Sequence, residues 1–162
     1  MKTNLKKNKV CRICSSSDLK FIFSLNPTAP ANALRKTSFD KFNLYPLEIN
    51  FCKKCKHLQL AHLVNSKILF SNYLYTSSAS QVYLKYLSDY ANSIVKMYNL
   101  IPKKDIICDV ASNDGSFLYF FKQKKFLVQG IEPAKNLSQI SKNKNINTAN
   151  IFLKYSSIRK YK

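Results

Sequence analysis

The stretch Asp105-Ile106-Ile107-Cys108-Asp109-Val110-Ala111-Ser112-Asn113-Asp114-Gly115-Ser116, answered by Phe126-Leu127-Val128-Gln129-Gly130-Ile131-Glu132-Pro133, decides the fold. Asp105 to Val110 reads as a buried strand, and Ala111 to Gly115 as a polar turn. Ser116 to Lys124 reads as a helix, Phe126 to Ile131 as a second strand, and Ala134 to Lys142 as a second helix. Strand–helix–strand–helix alternation calls for a parallel sheet, because parallel neighbours need a crossover connection. Ile106 to Val110 is apolar on both faces, as a central parallel strand is. With only Phe126 to Ile131 to pair with it, one edge and much of one face should stay open. Cys108, inside this apolar run, is expected to be a buried core thiol.

Upstream, a helix should start near Ser78 or Ser80, either of which can cap it. Tyr83, Tyr86, Leu87, Tyr90, Ala91, Ile94 and Val95 recur at steps of three and four and make one apolar face. Pro102 marks its end. Ser66 to Ser78 reads as a connecting segment dense in aromatics and hydroxyls. Residues 1–65 are rich in turns, with Pro27, Pro30 and Pro46 breaking any long helix. Phe21 to Phe23 and Leu47 to Phe51 read as short strands there.

Cys11 and Cys14 form one C-x2-C knuckle, and Cys52 and Cys55 another, 37 residues apart. A two-residue gap lets both thiolates of a pair face one ion while backbone amides support the sulfurs. Two such knuckles complete a tetrahedral all-sulfur shell suited to structural Zn²⁺. The competing readings are four unconnected thiols and an iron site of rubredoxin type, whose knuckles usually place Gly after the second cysteine. Gly is absent there. His57 and His62 follow the second knuckle and could replace a cysteine, but only the cysteines have the spacing.

The net charge is +19, from 27 basic residues against 8 acids. Only Arg12, Arg35 and Arg159 are arginine, and the lysines are scattered rather than gathered in a stripe. Bidentate base reading favours Arg, so a nucleic-acid partner is not expected. Hydrophobic residues make up 46% of the chain, enough for a core and unlike a disordered composition. No run of about 18 apolar residues suggests a membrane span, and the basic start Met1 to Val10 leads into no signal-peptide core. A cytoplasmic location is expected, and in a reducing compartment paired cysteines more often hold metal than form disulfides.

The turn Asp109 to Gly115 leaves a strand and enters a helix, a geometry that brings backbone groups close to a ligand over a helix N-terminus. Glu132 lies 23 residues after Asp109, at the end of the second strand. An acid there is placed to accept hydrogen bonds from both ribose hydroxyls of an adenosine cofactor. A surface loop with a solvated glutamate is the alternative.

Six ordered stretches carry a resemblance over about residues 10–150. They are Cys11-Arg12-Ile13-Cys14; Pro27-Thr28-Ala29-Pro30-Ala31-Asn32-Ala33-Leu34; Tyr45-Pro46-Leu47 leading to Cys52-Lys53-Lys54-Cys55 and Leu58-Gln59-Leu60; Leu69-Phe70-Ser71-Asn72-Tyr73-Leu74-Tyr75-Thr76-Ser77-Ser78; Ser112-Asn113-Asp114-Gly115-Ser116-Phe117-Leu118; and Gly130-Ile131-Glu132-Pro133-Ala134-Lys135-Asn136. The chain resembles the sugar C-methyltransferases with an N-terminal zinc-binding domain, which act on nucleotide-linked deoxy-ketosugars in antibiotic and surface-polysaccharide pathways. The resemblance implies S-adenosylmethionine as cofactor, held by Asp109, Ser112, Asn113, Asp114, Gly115, Glu132 and Pro133. It implies a tyrosine in the sugar site, Tyr73 or Tyr75; an aromatic pair packing the linker is the other reading.

The implied fold is α/β: a zinc-binding domain over 1–65, a linker segment and helix over 66–100, and an incomplete Rossmann-like methyltransferase sheet over 101–162. Two departures from the family stand out. Ala111 occupies a position where the family's loop usually has Gly, and no counterpart of the family's later strands or Glu-His pair is present. The expectation is an N-terminal portion of such an enzyme, inactive alone and with weak or lost cofactor binding. The partners expected are a nucleotide-sugar substrate in the complete family enzyme and a second chain encoded downstream. A zinc-ribbon module that binds nucleic acid or scaffolds another protein is the runner-up.

Overall fold

The computed structural model describes residues 4–31, 33–34, 37–39, 41 and 43–158. Asn32, Arg35 and Arg159, named above, lie outside the described residues, as do Met1 to Thr3. The chain is mixed α/β and divides into two compact units, Met1–Leu69 and Phe70–Lys162.

The first unit is built from short antiparallel strands. β1 (Leu5–Lys7) pairs with β5 (His62–Val64), and β2 (Leu19–Ser24), β3 (Glu48–Cys52) and β4 (Leu58–Leu60) form a three-stranded sheet in that order. The β2 and β3 segments match the two strands read from the sequence. β1, β4 and β5 were not foreseen, because three residues are too few to show a period of two. The β2–β3 pairing shifts register between Phe21 and Phe23, the mark of a bulge. Thr28 and Tyr45 make an isolated bridge that closes the intervening excursion.

α1 (Ser66–Phe70) and a 3-10 turn over Ser77–Ala79 occupy what the sequence suggested was plain connection. α2 (Gln81–Met97) starts after Ser80, whose hydroxyl accepts from the Tyr83 amide at 3.3 Å; the choice between Ser78 and Ser80 therefore falls on Ser80. In the second unit β6 (Ile106–Val110), β7 (Leu127–Ile131) and β8 (Thr148–Ala149) run parallel in that order. α3 (Ser116–Gln123) joins β6 to β7, and α4 (Lys135–Asn143) joins β7 to β8. α5 (Tyr155–Ile158) follows. The sequence offered two strands here, and the structure adds β8. Its two residues carry no pattern; pairing with Gly130 and Ile131 makes them a strand.

Ala91, Phe121 and Phe126 form the buried centre, with Ile94, Val95, Leu100, Ile107, Phe117, Phe120 and Val128 packed around it. Odd positions of β6 thus face the helices. Even positions face outward: Ile106 is 66% and Val110 54% exposed. Cys108 is exposed as well, which corrects its reading as a core thiol. It shares a face with Ile106 and Val110 and lies on the strand at the sheet edge, so nothing within this unit covers it. Partial desolvation of its sulfur against the strand still raises its thiol above the ordinary range, and the Asp109 carboxylate adds to the shift.

The chain has only two glycines, yet nine other described residues adopt positive φ. Three of them end helices: Asn99 after α2, Lys125 after α3 and Asn145 after α4. Each end closes with the long backbone bond of a left-handed cap: Leu100 to Val95, Phe126 to Phe121 and Ile146 to Ser141. Asparagine tolerates this backbone region better than lysine does.

Candidate metal centre and cofactor loop

The two knuckles are built alike. Cys11 donates its amide to the Ser16 carbonyl and accepts from the Ser15 amide; Cys52 does the same with His57 and Lys56, all at 2.8–2.9 Å. The residue after each second cysteine, Ser15 or Lys56, sits at φ 58° or 64°. This left-handed step turns each pair so that both sulfurs face one point. Buried Gln59 joins the halves, accepting from the Arg12 amide at 2.9 Å and donating to the Val10 carbonyl at 3.2 Å. That accounts for the Leu58-Gln59-Leu60 stretch.

The Cys11–Cys55 sulfurs lie 3.5 Å apart and the Cys14–Cys52 sulfurs 3.6 Å, with all four within 4.8 Å of one another. A tetrahedral shell with bonds of about 2.3 Å needs sulfurs roughly 3.8 Å apart, so the arrangement fits zinc. Neither His57 nor His62 belongs to the cluster. The Cys14 backbone amide pulls the Cys11 thiol down to about 6, helped by the Ile13 amide and by Cys55 and Cys52, against burial. At Cys55 the His57 amide also pulls down, but burial and the other three cysteines outweigh it and push the thiol up to about 12. One thiolate forms readily and a later one is resisted by its neighbours. A divalent cation removes that resistance.

In the second unit the loop after β6 holds three residues at positive φ: Ala111 at 63°, Asn113 at 52° and Gly115 at 76°. At Gly115 any side chain would run into Ser141. Glu132 is buried, and its two oxygens accept from the Asn113 and Ala134 amides at 2.8 Å each. It therefore braces the loop while each oxygen keeps a lone pair for a further donor. The Ser112 hydroxyl is buried without a partner among the described residues. Gly130 explains itself here, since a Cβ would come within 2.7 Å of the Ser112 hydroxyl and 2.8 Å of that of Thr148.

Asp114 is fully buried and well partnered. It accepts from the Ser78 and Ser116 amides at 3.1 Å each and pairs with Lys144 at 3.1 Å. Burial pushes its carboxyl up, but these partners outweigh burial and hold it below the usual carboxylate range. It fastens the loop. Asp109 is the opposite case. Burial first, then Glu132, raises its carboxyl to about 6, and it lines a cavity of about 290 Å³ with Ser112 and Asn113. The Pro133 carbonyl accepts from Asn150, which also bonds the Glu132 carbonyl.

Residues 71–78 form a strap pinned to this loop. Asn136 takes both backbone groups of Tyr73, accepting from its amide at 3.1 Å and donating to its carbonyl at 2.6 Å. Asn113 donates to the Tyr75 carbonyl at 3.1 Å and accepts from the Ser77 amide at 2.9 Å. The Lys135 amide donates to Ser71. The Tyr73 ring lies 6.2 Å from that of Phe70, whereas Tyr75 is 49% exposed. Sequence reasoning quoted Asn136 without a role and passed over Lys144, Thr148 and Asn150. The partners of Lys144 and Asn150 lie far along the chain, which leaves no local signal.

Residues 11–70 match the family model described as "Putative zinc binding domain". Over 140 residues the chain is 26% identical to the C-methyltransferase NovU of Streptomyces niveus, a match covering 85% of this chain and 33% of that protein. The chain thus spans about a third of the length of that curated relative. Residues 11–70 are thus similar to a zinc-binding domain, and most of the chain is similar to part of a C-methyltransferase. Among the described residues no helix is long and apolar enough to cross a membrane.

Proposed function

We propose that residues 1–162 are the zinc-binding and cofactor-binding part of an S-adenosylmethionine-dependent C-methyltransferase acting on a nucleotide-linked deoxy-ketosugar. The observation that carries this reading is the strap: the two motifs that would hold the cofactor, through Asn113 and Asn136, also fix the backbone of Tyr73 and Tyr75. Cofactor loop and substrate tyrosines are thereby one rigid piece, as methyl transfer between two positioned substrates requires. On this reading β6, β7 and β8 belong to a Rossmann-like sheet whose further strands would pair with the bare edge of β6.

S-adenosylmethionine, when bound, supplies the methyl group taken by the enolate carbon of the sugar, its sulfur keeping the electron pair. Glu132 would accept the ribose hydroxyls with its spare lone pairs, and the buried, partnerless Ser112 hydroxyl belongs to the same loop. Tyr75, the more exposed of the pair, is the better placed to hydrogen-bond the sugar's keto oxygen. The reading assigns no general base among residues 1–162, because a tyrosine such as Tyr75 is a weak base toward a ketosugar at neutral pH. Residues 1–162 alone are accordingly inactive. Calorimetric titration with S-adenosylmethionine should give weak binding, above about a micromolar dissociation constant, weakened further by Glu132→Gln. No response to the cofactor, together with steeply salt-dependent binding to RNA or DNA, would replace this reading with a nucleic-acid module.

A further inference from the structure

The four clustered sulfurs have unequal surroundings. Cys11 and Cys52 are buried, Cys14 is half-buried and Cys55 is exposed. The segments beside the two outer sulfurs differ as well. Cys14 is followed by Ser15, Ser16, Ser17 and Asp18. Cys55 stands between Lys53-Lys54 and Lys56, and no acid occurs between positions 49 and 69. Lys53 pairs with Asp18 at 3.5 Å, and the Lys56 ammonium folds back to donate to the Lys53 carbonyl at 2.8 Å, which keeps it at the knuckle.

Cysteines that react with peroxides are exposed thiolates in a positive field, next to a second cysteine that can resolve the product. Cys55 meets each condition. As a zinc ligand it is a thiolate, whatever its hold on a proton in the metal-free protein. The lysines supply the field. The second cysteine is Cys11, whose sulfur lies 3.5 Å from that of Cys55, while Cys14 faces Cys52 at 3.6 Å. Both close pairs cross from one knuckle to the other.

We propose that Cys55 is an oxidation site for hydrogen peroxide and that Cys11 resolves it, so that the first disulfide joins the two knuckles. The proposal rests on the zinc reading of the cluster. The Cys55 thiolate takes one oxygen from hydrogen peroxide and becomes a sulfenic acid, and hydroxide leaves. The Cys11 thiolate then attacks the Cys55 sulfur and displaces a second hydroxide. Two thiolates and one peroxide give one disulfide and two hydroxides, the sulfurs losing the two electrons that the peroxide gains. Only Cys14 and Cys52 then remain as zinc ligands, too few to hold the ion. The new bond spans 44 positions and ties the knuckles together as the metal did. Oxidation therefore exchanges one staple for another, whereas a chelator removes the staple outright.

The test treats the zinc-loaded chain of residues 1–162 with an equimolar amount of hydrogen peroxide. Trypsin cuts after Arg12 and after Lys53, so each of the four cysteines falls on its own peptide. Mass spectrometry should find the Cys11 and Cys55 peptides linked first, with Cys14 and Cys52 still open to alkylation and zinc released in step. Dimedone added with the peroxide should label Cys55 ahead of the other three. Amides over residues 10–60 should stay protected from exchange in the oxidised, zinc-free protein and lose protection in reduced, chelated protein. A first disulfide within one knuckle or between Cys14 and Cys52, dimedone on another cysteine first, or four thiols that survive excess peroxide would each overturn the proposal. Lost protection after oxidation overturns the exchange of staples. A chain that takes up no zinc defeats the zinc reading itself and the proposal with it, whereas a zinc-loaded chain oxidised elsewhere defeats the proposal alone.

Discussion

The two units solve the problem of burial differently. In Met1–Leu69 the described buried apolar side chains are Tyr45, Ala61 and two of the cysteines, while Ile13, Phe21, Leu25 and Leu58 are more than half exposed. In Phe70–Lys162 Leu87, Leu118, Phe121, Phe126, Leu137 and Ile146 are all buried. The first unit has too little apolar core to stand on, and its order comes from two knuckles meeting at four sulfurs. The second rests on helix-to-sheet packing. A segment with little core needs a staple, whereas a sheet covered by helices does not.

The largest expected effect tests that contrast. Zinc content should be one equivalent per chain, and Cys52→Ser or a chelator should unfold residues 10–60, since structural zinc contributes about 10 kcal/mol. Amide exchange should show the second unit still protected. Less than roughly a tenth of an equivalent of zinc in protein purified without added metal would break the comparison. The converse change, Phe121→Ala, should cost the second unit about 3–5 kcal/mol and leave zinc stoichiometry untouched. Loss of zinc in that variant would show that the units do not stand separately.

Two smaller effects sharpen the picture within the second unit. The Asp109 carboxyl is raised to about 6 from an ordinary value near 3.8, so the folded protein holds that proton more tightly than the unfolded chain. The stability it contributes is full below about pH 4 and is lost as pH rises through 6. Asp109→Asn should therefore raise the melting midpoint of this unit at pH 8 and leave it nearly unchanged at pH 4, read by circular dichroism. Ala111 holds φ at 63°, where a Cβ is strained. Ala111→Gly should stabilise the unit by less than about 1 kcal/mol, the relief being offset by the freer unfolded chain. Denaturant midpoints check it, and a destabilised variant would mean that the turn is not strained.

Much of this was legible. Periodicity placed β6, α3, β7 and α4 within a residue or so of their observed bounds, and spacing alone assembled the four sulfurs. The open edge of β6 followed from counting the strands able to pair with it. What the pattern hid were short or non-local features. β8 is too short to alternate, and β1 and β5 become strands only by pairing across the whole first unit. Cys108 looked like core because an apolar run does not say which face is covered. The tyrosines of α2 counted as apolar in the periodicity, yet their rings stand half exposed in a stack.

The sequence by itself determined the four-cysteine cluster, the strand–turn–helix succession and the acid that braces the loop after β6. Each of these depends on residues a few positions apart, where backbone geometry leaves little choice. Only the tertiary structure decided the rest. Asn136 seizes Tyr73 across 63 residues, Asp114 meets Ser78 across 36, and Gln59 clamps Arg12 across 47. Such contacts form only after the sheet and knuckles have brought distant segments together, and the residues that make them carry no local trace of their partners.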